Sequence, residues 1–503
     1  MKRFLCLFLA GLMLVSTLAM TACGTTEETP TDTSATTQGA DQEADTNNTD
    51  YVCDLPDELD YGDETINVIF AKHPGREDEL VSSGGIEAGV LSSAVYERNV
   101  AVEVDLGVKL NYIPNDTGAV AAELQKDITS GLGDYDIVAD GTYKAIIPVI
   151  EGYYKDLNQT EYVDTSKHYW TQGYNEMVTF TEDHKQYLVT GPVAISLFRY
   201  MYLTIYNKDL MAAYQIPDLY ETVMNGKWTL DYQLSIITGI NDDTDGDGKN
   251  SEGDIHGFVT GDTISVDPYM VSCDIHMIVK DPETYALTFN ADAKQRLSDL
   301  SDKVQAIYNS GDTYVYKSAT MDDVGKTYIT EKFTNKKALM ATIQFYNMET
   351  NYNEVGALSY GIAPVPKFSE DQKSYYSYVQ DQVTSLGISA GIKSGRDAMV
   401  SAVLESIGYH SHRLVRPAYY ETTLSERYMK DPQSLEILEL MMDSLSFDFS
   451  STCGNIITSC VIRDQLRPVL SGTTNQISSK IAAWDRSLKR SLKTYNDKIF
   501  ALE

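Results

Sequence analysis

The sequence of 503 residues predicts a fold of the α/β class. Short apolar runs, typical of buried strands, alternate with stretches of helical spacing between residues 66 and 139. The order strand, helix, strand, helix, strand predicts a parallel sheet, because parallel strands need a long crossover connection, which is usually a helix. The part of the chain with a globular composition is also long enough to form two lobes.

Each predicted element can be placed on the chain. The strands are Ile66–Phe70, Val108–Ile113 and Tyr135–Ala139, and the helices run from about Ile86 to Val104 and from about Ala119 to Thr129. In open sheets of this class, ligands bind beyond the carboxyl ends of the strands. The residues that follow the first and third strands are therefore candidates for ligand contacts: Lys72, His73, Arg76, Asp140, Thr142 and Tyr143.

The N-terminus has the composition of an export signal. Lys2 and Arg3 precede an uncharged apolar run from Phe4 to Ala19, which is short for a spanning helix. The run ends in Met20-Thr21-Ala22-Cys23-Gly24, which resembles the lipobox of bacterial lipoproteins. We expect a signal peptide at 1–22 and a lipidated Cys23. Ordinary secretion with an incidental Cys is the alternative.

The charge of the chain excludes some partners. The net charge is −33 and becomes −35 when Lys2 and Arg3 leave with the signal peptide. Such a chain repels nucleic acid and anionic lipid surfaces. Residues 24 to about 60 contain no Lys or Arg and are rich in Thr, Asp and Glu. This composition cannot bury a core, so residues 23–60 are expected to form a lipid-anchored, disordered acidic tether.

The cysteines favour neither zinc nor a disulfide framework. Besides Cys6 in the signal peptide and Cys23, the chain holds Cys53, Cys273, Cys453 and Cys460. Cys453 and Cys460 can pair, but sequence does not decide this, and the spacing fits no zinc motif.

A twelve-residue segment, DTDGDGKNSEGD at 243–254, matches the ligand spacing of an EF-hand calcium loop. Calcium binds six to eight oxygens, and the loop supplies them at fixed positions around a sharp turn at Gly248. The predicted metal ligands are Asp243, Asp245, Asp247, the carbonyl of Lys249, Ser251 and Asp254. The residues that follow are typical of a strand, whereas a sensor EF-hand needs a second helix. We expect calcium with a structural role. A solvated acidic turn is the alternative.

Seven short stretches carry a further pattern: Tyr135–Val138, Ile150–Gly152, Asp156–Leu157, Ile205–Leu210, Gly226–Leu230, Tyr360–Lys367 and Pro417–Glu421. They resemble the extracellular solute-binding proteins of ABC importers, in that family's order along the chain. The branch that is closest in pattern is the carbohydrate type, that of maltose-binding protein. The resemblance implies a two-lobed periplasmic-binding-protein-like fold, with hinge strands between the lobes and the ligand in the cleft.

The resemblance also implies lobe boundaries. Lobe one would comprise 61–195 and 340–385, and lobe two would comprise 196–339 and 386–503. The chain would cross near Thr190–Arg199, Ala338–Ile343 and Ser385–Ser389. The calcium loop would lie in lobe two.

The family pattern gives candidate ligand contacts. Sugar sites combine aromatic faces with buried polar groups that pair with hydroxyls. The candidates are Lys72, Arg76, Asp140, Tyr143, Arg199, Asp267, Tyr269, Gln344, Phe345 and Tyr346. The alternative for each is a solvated loop charge or a core side chain.

Catalysis is not expected. Gly387–Gly391 matches the G-x-S-x-G nucleophile elbow, but that motif needs a helix directly after the serine, and Ile392–Gly395 does not favour one. The sequence thus predicts a monomeric, lipid-anchored solute-binding protein on the extracellular face of the membrane. It would deliver a small solute, an oligosaccharide by resemblance, to the permease subunits of an ABC importer. A calcium-stabilised surface polysaccharide hydrolase and a solute-binding component of a sensor remain open.

Overall fold

A computed structural model describes residues 53–84, 89–116, 118–317, 322–420, 429, 431–456 and 461–502. The predicted signal peptide, Cys23, most of the tether and Cys460 lie outside these residues. The described chain from 53 onward belongs to one compact unit.

The strands are mostly short. In chain order they are β1 Glu64–Ala71, β2 Val108–Asn115, β3 Ile137–Gly141, β4 Thr179–Phe180, β5 Lys185–Gln186, β6 Tyr202–Asn207, β7 Asn241–Asp242, β8 Ile255–Gly261, β9 Ile278–Lys280, β10 Leu287–Phe289, β11 Thr313–Tyr316, β12 Ala338–Gln344, β13 Tyr360–Ala363, β14 Ser377–Tyr378, β15 Thr384–Ile388 and β16 Leu445–Ser446.

The α-helices range from a single turn to 23 residues. They are α1 Val90–Leu106, α2 Val120–Ser130, α3 Thr142–Ile150, α4 Gln172–Val178, α5 Ser196–Arg199, α6 Lys208–Ala213, α7 Leu219–Met224, α8 Leu230–Ile237, α9 Pro268–Ser272, α10 Ala293–Tyr308, α11 Asp322–Thr334, α12 Phe345–Thr350, α13 Tyr352–Gly356, α14 Asp397–His410, α15 Pro432–Asp443, α16 Phe449–Thr452, α17 Val461–Leu470 and α18 Ile477–Ile499.

The first sheet has the strand order β15-β3-β1-β2. β1 pairs in parallel with β2 and β3, and β15 runs antiparallel to β3. β1 is buried on both faces, with Ile66 and Val68 in one hydrophobic core and Ile69 in the other. A strand covered on both faces needs a nearly continuous apolar run, which is why it was visible in the sequence. The first lobe is this sheet with the helices packed on it.

The second sheet has the order β11-β8-β12-β6-β13, with β7 paired to β8. β11, β8 and β12 are parallel, whereas β6 runs antiparallel to β12 and β13. The second lobe is this sheet with its helices. The α/β class and the two lobes predicted from the sequence are confirmed.

Strand pairing corrects the lobe boundaries beyond residue 339. β12 and β13 pair within the second sheet, so 340–363 lies in lobe two and Ala338–Ile343 is no crossing. β15 pairs with β3, and α14 packs on α1, so Thr384–His410 lies in lobe one. The chain crosses before β6, again at about 379–383, and a third time between α14 and α15.

The segment that begins at Cys53 also corrects the end of the tether. Leu55 and Leu59 pack against the hydrophobic core that contains Ile66 and Val68, and Lys167 forms an ion pair with Asp54. Residues 53–60 thus contact lobe one, although their composition predicted disorder. Among the described helices, none is both long enough and apolar enough to span a bilayer.

Candidate functional site

The two sheets bring their strand ends together between the lobes. In the first sheet the loop 72–79 follows β1, and Gly141 at the end of β3 pairs with Thr384 at the start of β15. In the second sheet, Gln344 at the end of β12 pairs with Tyr202 at the start of β6.

The crossing at 379–383 joins these two edges. The Gln344 Nε2 donates to Gln380 Oε1 at 2.7 Å, and the Gln380 N–H donates to the Tyr200 carbonyl at 3.1 Å. On the other side, the Tyr143 N–H donates to the Asp381 carbonyl at 3.1 Å. We call this region the inter-lobe site.

A buried polar cluster forms the first-lobe side of the inter-lobe site. The side chain of Arg76 is buried, and its Nη1 lies 3.9 Å from Asp140 Oδ1 and donates to Thr384 Oγ1 at 3.4 Å. The Thr384 hydroxyl donates to Glu79. Glu79 also accepts the N–H of Ser196 at 3.1 Å and its hydroxyl at 2.9 Å. The cluster therefore ties the β1 loop to β3, β15 and α5.

Burial shapes the acidity of this cluster. Desolvation raises the pKa of Glu79, and the positive charge of Arg76 partly offsets this. The pKa of Asp140 is raised for the same reason, with Arg76 and a 2.7 Å hydrogen bond from the Gly141 N–H acting in the opposite direction. The charge of Arg76 therefore helps to keep both carboxylates ionised.

Two donors of Arg76 are unused by the part of the chain that the structure describes. Its Nε and Nη2 are buried and have no hydrogen-bond partner there. These two nitrogens form one edge of the guanidinium, the edge that binds paired oxygen acceptors. A buried donor without an acceptor costs free energy, so this edge favours a ligand or water that supplies oxygens.

Aromatic rings line the same region. Gly75 has φ of +83°, and a Cβ there would lie 3.1 Å from the ring of Tyr200 and 3.3 Å from that of Tyr346. The rings of Tyr200 and Tyr346 meet edge to face at 6.5 Å, and His73 packs on Tyr200 at 6.1 Å. Tyr143 is half-buried, and its ring lies beside Gly141. Glycine at 75 lets the loop approach these rings closely.

The structure separates the ten sequence candidates. Arg76, Asp140 and Tyr143 lie together, Gln344 and Tyr346 face them from the second lobe, and Lys72 is exposed at the end of β1. The others have different roles.

Phe345 and Tyr269 are fully buried in the hydrophobic core, and we reassign them to it. Asp267 is held by Arg467 through two bonds of 2.7 and 2.6 Å within the second lobe.

Arg199 donates four hydrogen bonds to protein groups. Its Nε donates to Glu349 at 2.8 Å, and its Nη1 and Nη2 donate to the two oxygens of Asp78 at 2.5 and 3.2 Å. The Nη1 also donates to the Gly75 carbonyl at 3.2 Å. Its expected role as a ligand contact therefore gives way to a bridging role between segments.

Sequence reasoning missed four residues of the inter-lobe site. They are Glu79, Tyr200, Gln380 and Thr384. Tyr200 directly follows a candidate, and Thr384 directly precedes a predicted crossing, so position along the chain was a weak signal for both. Glu79 and Gln380 carried no signal, because long-range pairing alone brings them in.

Comparison with solved structures identifies the fold. The cyclic α-maltosyl-1,6-maltose binding protein from Arthrobacter globiformis matches 86% of this chain and 100% of its own, with 13% identity and a TM-score of 0.56. The galacto-N-biose-/lacto-N-biose I-binding protein of the ABC transporter from Bifidobacterium longum matches 86% and 98%, with 11% identity and a TM-score of 0.56. This chain has the solute-binding-protein fold.

A third protein with the solute-binding-protein fold is the maltose/maltodextrin-binding domain MalE from Bdellovibrio bacteriovorus, bound to maltotriose. It matches 86% of this chain and 99% of its own, with 15% identity and a TM-score of 0.50. No protein-family model matches the sequence, and a search of curated proteins finds no relative. At these identities the likeness establishes the fold.

The acidic loop lies in lobe two, within a short hairpin of the second sheet. β7 and β8 flank the loop and pair antiparallel, and α8 precedes them. Asp243, Asp245 and Asp247 each offer an oxygen within 4.8 Å of the others. The Asp254 oxygens accept the N–H groups of Thr244 at 3.0 Å and Ser251 at 2.8 Å. Hydrogen bonds from Ser251, the largest influence, lower the pKa of Asp254.

The same loop is held by hydrogen bonds to α11 and to the segment just before β11. The buried Lys332 of α11 donates its Nζ to the carbonyls of Glu252 at 2.6 Å and Asp254 at 2.9 Å. Burial lowers the pKa of Lys332 to about 8. Asn250 donates to the Gly311 carbonyl at 2.9 Å, just before β11. The three clustered carboxylates, with the Ser251 hydroxyl 3.3 Å from an oxygen of Asp245, fit a hard cation that prefers oxygen ligands, whereas Asp254 lies outside this group.

The serine motif at 387–391 does not form a nucleophile elbow. Ser389 follows β15, but α14 begins only at Asp397. Its buried hydroxyl accepts the N–H of Gly391 at 3.1 Å. The residues therefore form the end of β15 in the first sheet and the turn that follows it.

Proposed function

We propose that this protein captures an oligosaccharide in the inter-lobe site and delivers it to an ABC importer. In this proposal the chain is a monomer, anchored through lipid on Cys23 at the extracellular face of the membrane. It performs no chemistry on its ligand. Fold likeness supports the absence of chemistry, since the compared proteins are binding proteins.

The observation that carries the proposal is the combination of groups in the inter-lobe site. The half-buried Tyr346 supplies aromatic surface of the kind that covers the apolar faces of a sugar, and the buried ring of Tyr200 packs against it edge to face. Arg76 supplies an unused pair of donors, and Asp140 lies beside it as an acceptor. Buried polar groups of this kind reject ligands that lack matching hydroxyls, because the protein groups would stay unpaired.

The names of the compared proteins agree with this ligand class. They describe binding of maltotriose, cyclic α-maltosyl-1,6-maltose and lacto-N-biose. One further neighbour from Agrobacterium radiobacter is in complex with ribitol. These ligands all present several hydroxyl groups, which the donors and acceptors of the inter-lobe site suit.

Capture would work by a change in lobe arrangement. A ligand that can contact both lobes binds most tightly to the closed arrangement, in which both lobes reach it. Binding therefore shifts the population from the open to the closed arrangement. The importer would then recognise the arrangement and not the ligand itself.

A thermal-shift screen tests the proposal. The panel contains oligosaccharides, monosaccharides, polyols, amino acids and short peptides, all with calcium present. A ligand at about 100 times its dissociation constant stabilises the folded state by about 2.7 kcal/mol. We expect a shift with one class of oligosaccharide and recovery of that sugar intact. A shift with peptides only, or cleavage of the sugar, would refute the assignment.

We also propose that calcium binds the loop at 243–254 and has a structural role. The clustered carboxylates support this, as do the bonds that tie the loop to β11 and α11. Bound calcium would neutralise repulsion among Asp243, Asp245 and Asp247 and fix the β7–β8 hairpin.

A further inference from the structure

Arg199 connects three parts of the chain that belong to different lobes. It ends α5, in the first crossing between the sheets. Asp78 belongs to the first-lobe loop after β1, whereas Glu349 lies on α12 of the second lobe. A single guanidinium thus holds one carboxylate from each lobe, at 2.5 and 2.8 Å.

Tyr419 completes this network from the third crossing. Its hydroxyl donates to Glu349, and its ring stacks on Phe198 at 5.5 Å between centroids. The guanidinium of Arg199 lies 6.0 Å from the centre of the Tyr419 ring. Two of the three chain crossings therefore meet at Arg199.

The geometry limits how the lobes can move. Arg199 and Glu349 are largely buried, with side chains 9% and 14% exposed, so water does not readily replace a lost contact. A rotation that moves the first-lobe loop away from α12 separates Asp78 from Glu349. One guanidinium cannot then stay within hydrogen-bond distance of both, so opening must break one of the two ion pairs.

We propose that Arg199 is a clamp between the lobes, which stabilises the lobe arrangement seen here against a more open one. The clamp itself does not depend on the proposed function. Only one consequence rests on that function, namely that a chain with open lobes binds ligand more weakly. Arg199 acts here as a positioning residue, through Asp78 and Glu349, without contacting ligand.

Hydrogen exchange of the full chain without ligand tests the clamp. In R199Q we expect amides in the β1 loop (73–79), α12 and the crossing at 379–383 to exchange about tenfold faster, since hydrogen bonds to charged groups are lost. Amides of β2 and β8 should keep their rates. The D78N variant removes only the first-lobe partner, whose side chain is 40% exposed, and should give the same pattern if R199Q does not fold.

The matched control is R396Q. Arg396 makes a similar two-point contact with Asp136, at 3.0 and 3.0 Å, but within the first lobe. The R396Q variant should leave the hydrogen-exchange rates of α12 unchanged. Unchanged exchange in D78N, or the same pattern in R396Q, would overturn the clamp. Because the assay contains no ligand, its result is independent of whether an oligosaccharide binds.

Discussion

Replacement of Arg76 by Met tests the electrostatics of the inter-lobe site without any ligand. The guanidinium lies 3.9 Å from Asp140 and helps to keep both Asp140 and Glu79 ionised while they are buried. Met is apolar and flexible enough to occupy much of the vacated volume. The substitution therefore removes mainly the charge and leaves two buried carboxyl groups without their cation.

The size and the pH dependence of the effect follow from this arrangement. Removal of one partner from a buried ion pair destabilises a protein by about 3 to 5 kcal/mol. In R76M the pKa values of Glu79 and Asp140 rise further in the folded state. The folded state then binds more protons than the unfolded state, so stability falls as pH rises through these pKa values. The loss is therefore larger at pH 8 than at pH 5, by about 1.4 kcal/mol for each unit of added pKa shift.

Urea denaturation of the native protein, R76M and R76K at pH 5, 6.5 and 8 measures this difference. R76K is the matched control, because it keeps the positive charge and should show little added pH dependence. An R76M loss that is equal at all three pH values would refute the electrostatic account of the cluster.

Three further predictions follow from the structure. Calcium at 100 times its dissociation constant should stabilise the native protein by about 2.7 kcal/mol, and the D254N variant should lose this stabilisation. Equal melting temperatures of the native protein with calcium and with a chelator would contradict the site. Y346A should weaken binding of the screened oligosaccharide by about tenfold, measured by calorimetry, because a stacking face is lost; an unchanged affinity would place the ligand elsewhere. F345A should cost about 3 to 5 kcal/mol in urea denaturation, since Phe345 is fully buried, and a loss below about 1 kcal/mol would show that it is not a core residue.

Local sequence patterns predicted the elements of the first sheet well. β1 is observed at Glu64–Ala71 against a predicted Ile66–Phe70, and α2 at Val120–Ser130 against about Ala119–Thr129. A parallel strand buried on both faces must be apolar throughout, and that signal is contained in the strand itself. The helix α2 likewise has apolar residues at helical spacing within its own sequence. These elements therefore needed no knowledge of their neighbours.

Pairing between distant strands was the part that could not be predicted. The resemblance implied that 340–385 belongs to lobe one, and nothing in the apolar sequence of β12 distinguishes β6 and β8 as its partners. Arg76, Asp140 and Tyr143 were found because they follow the ends of adjacent parallel strands. Thr384 was missed because it joins them through the antiparallel pairing of β15, which only the folded chain reveals.

The larger hydrophobic core has a consequence for how the protein unfolds. It is continuous from Ile69 and Val138 of the first sheet to Leu203 and Phe258 of the second. The long helix α18 adds to this continuity, since Lys498 near its end pairs with Glu151 at the end of α3. Neither lobe can lose its packing without exposing the other. The two lobes should therefore melt together in a single cooperative transition, and proteolysis should not release either one as a stable fragment.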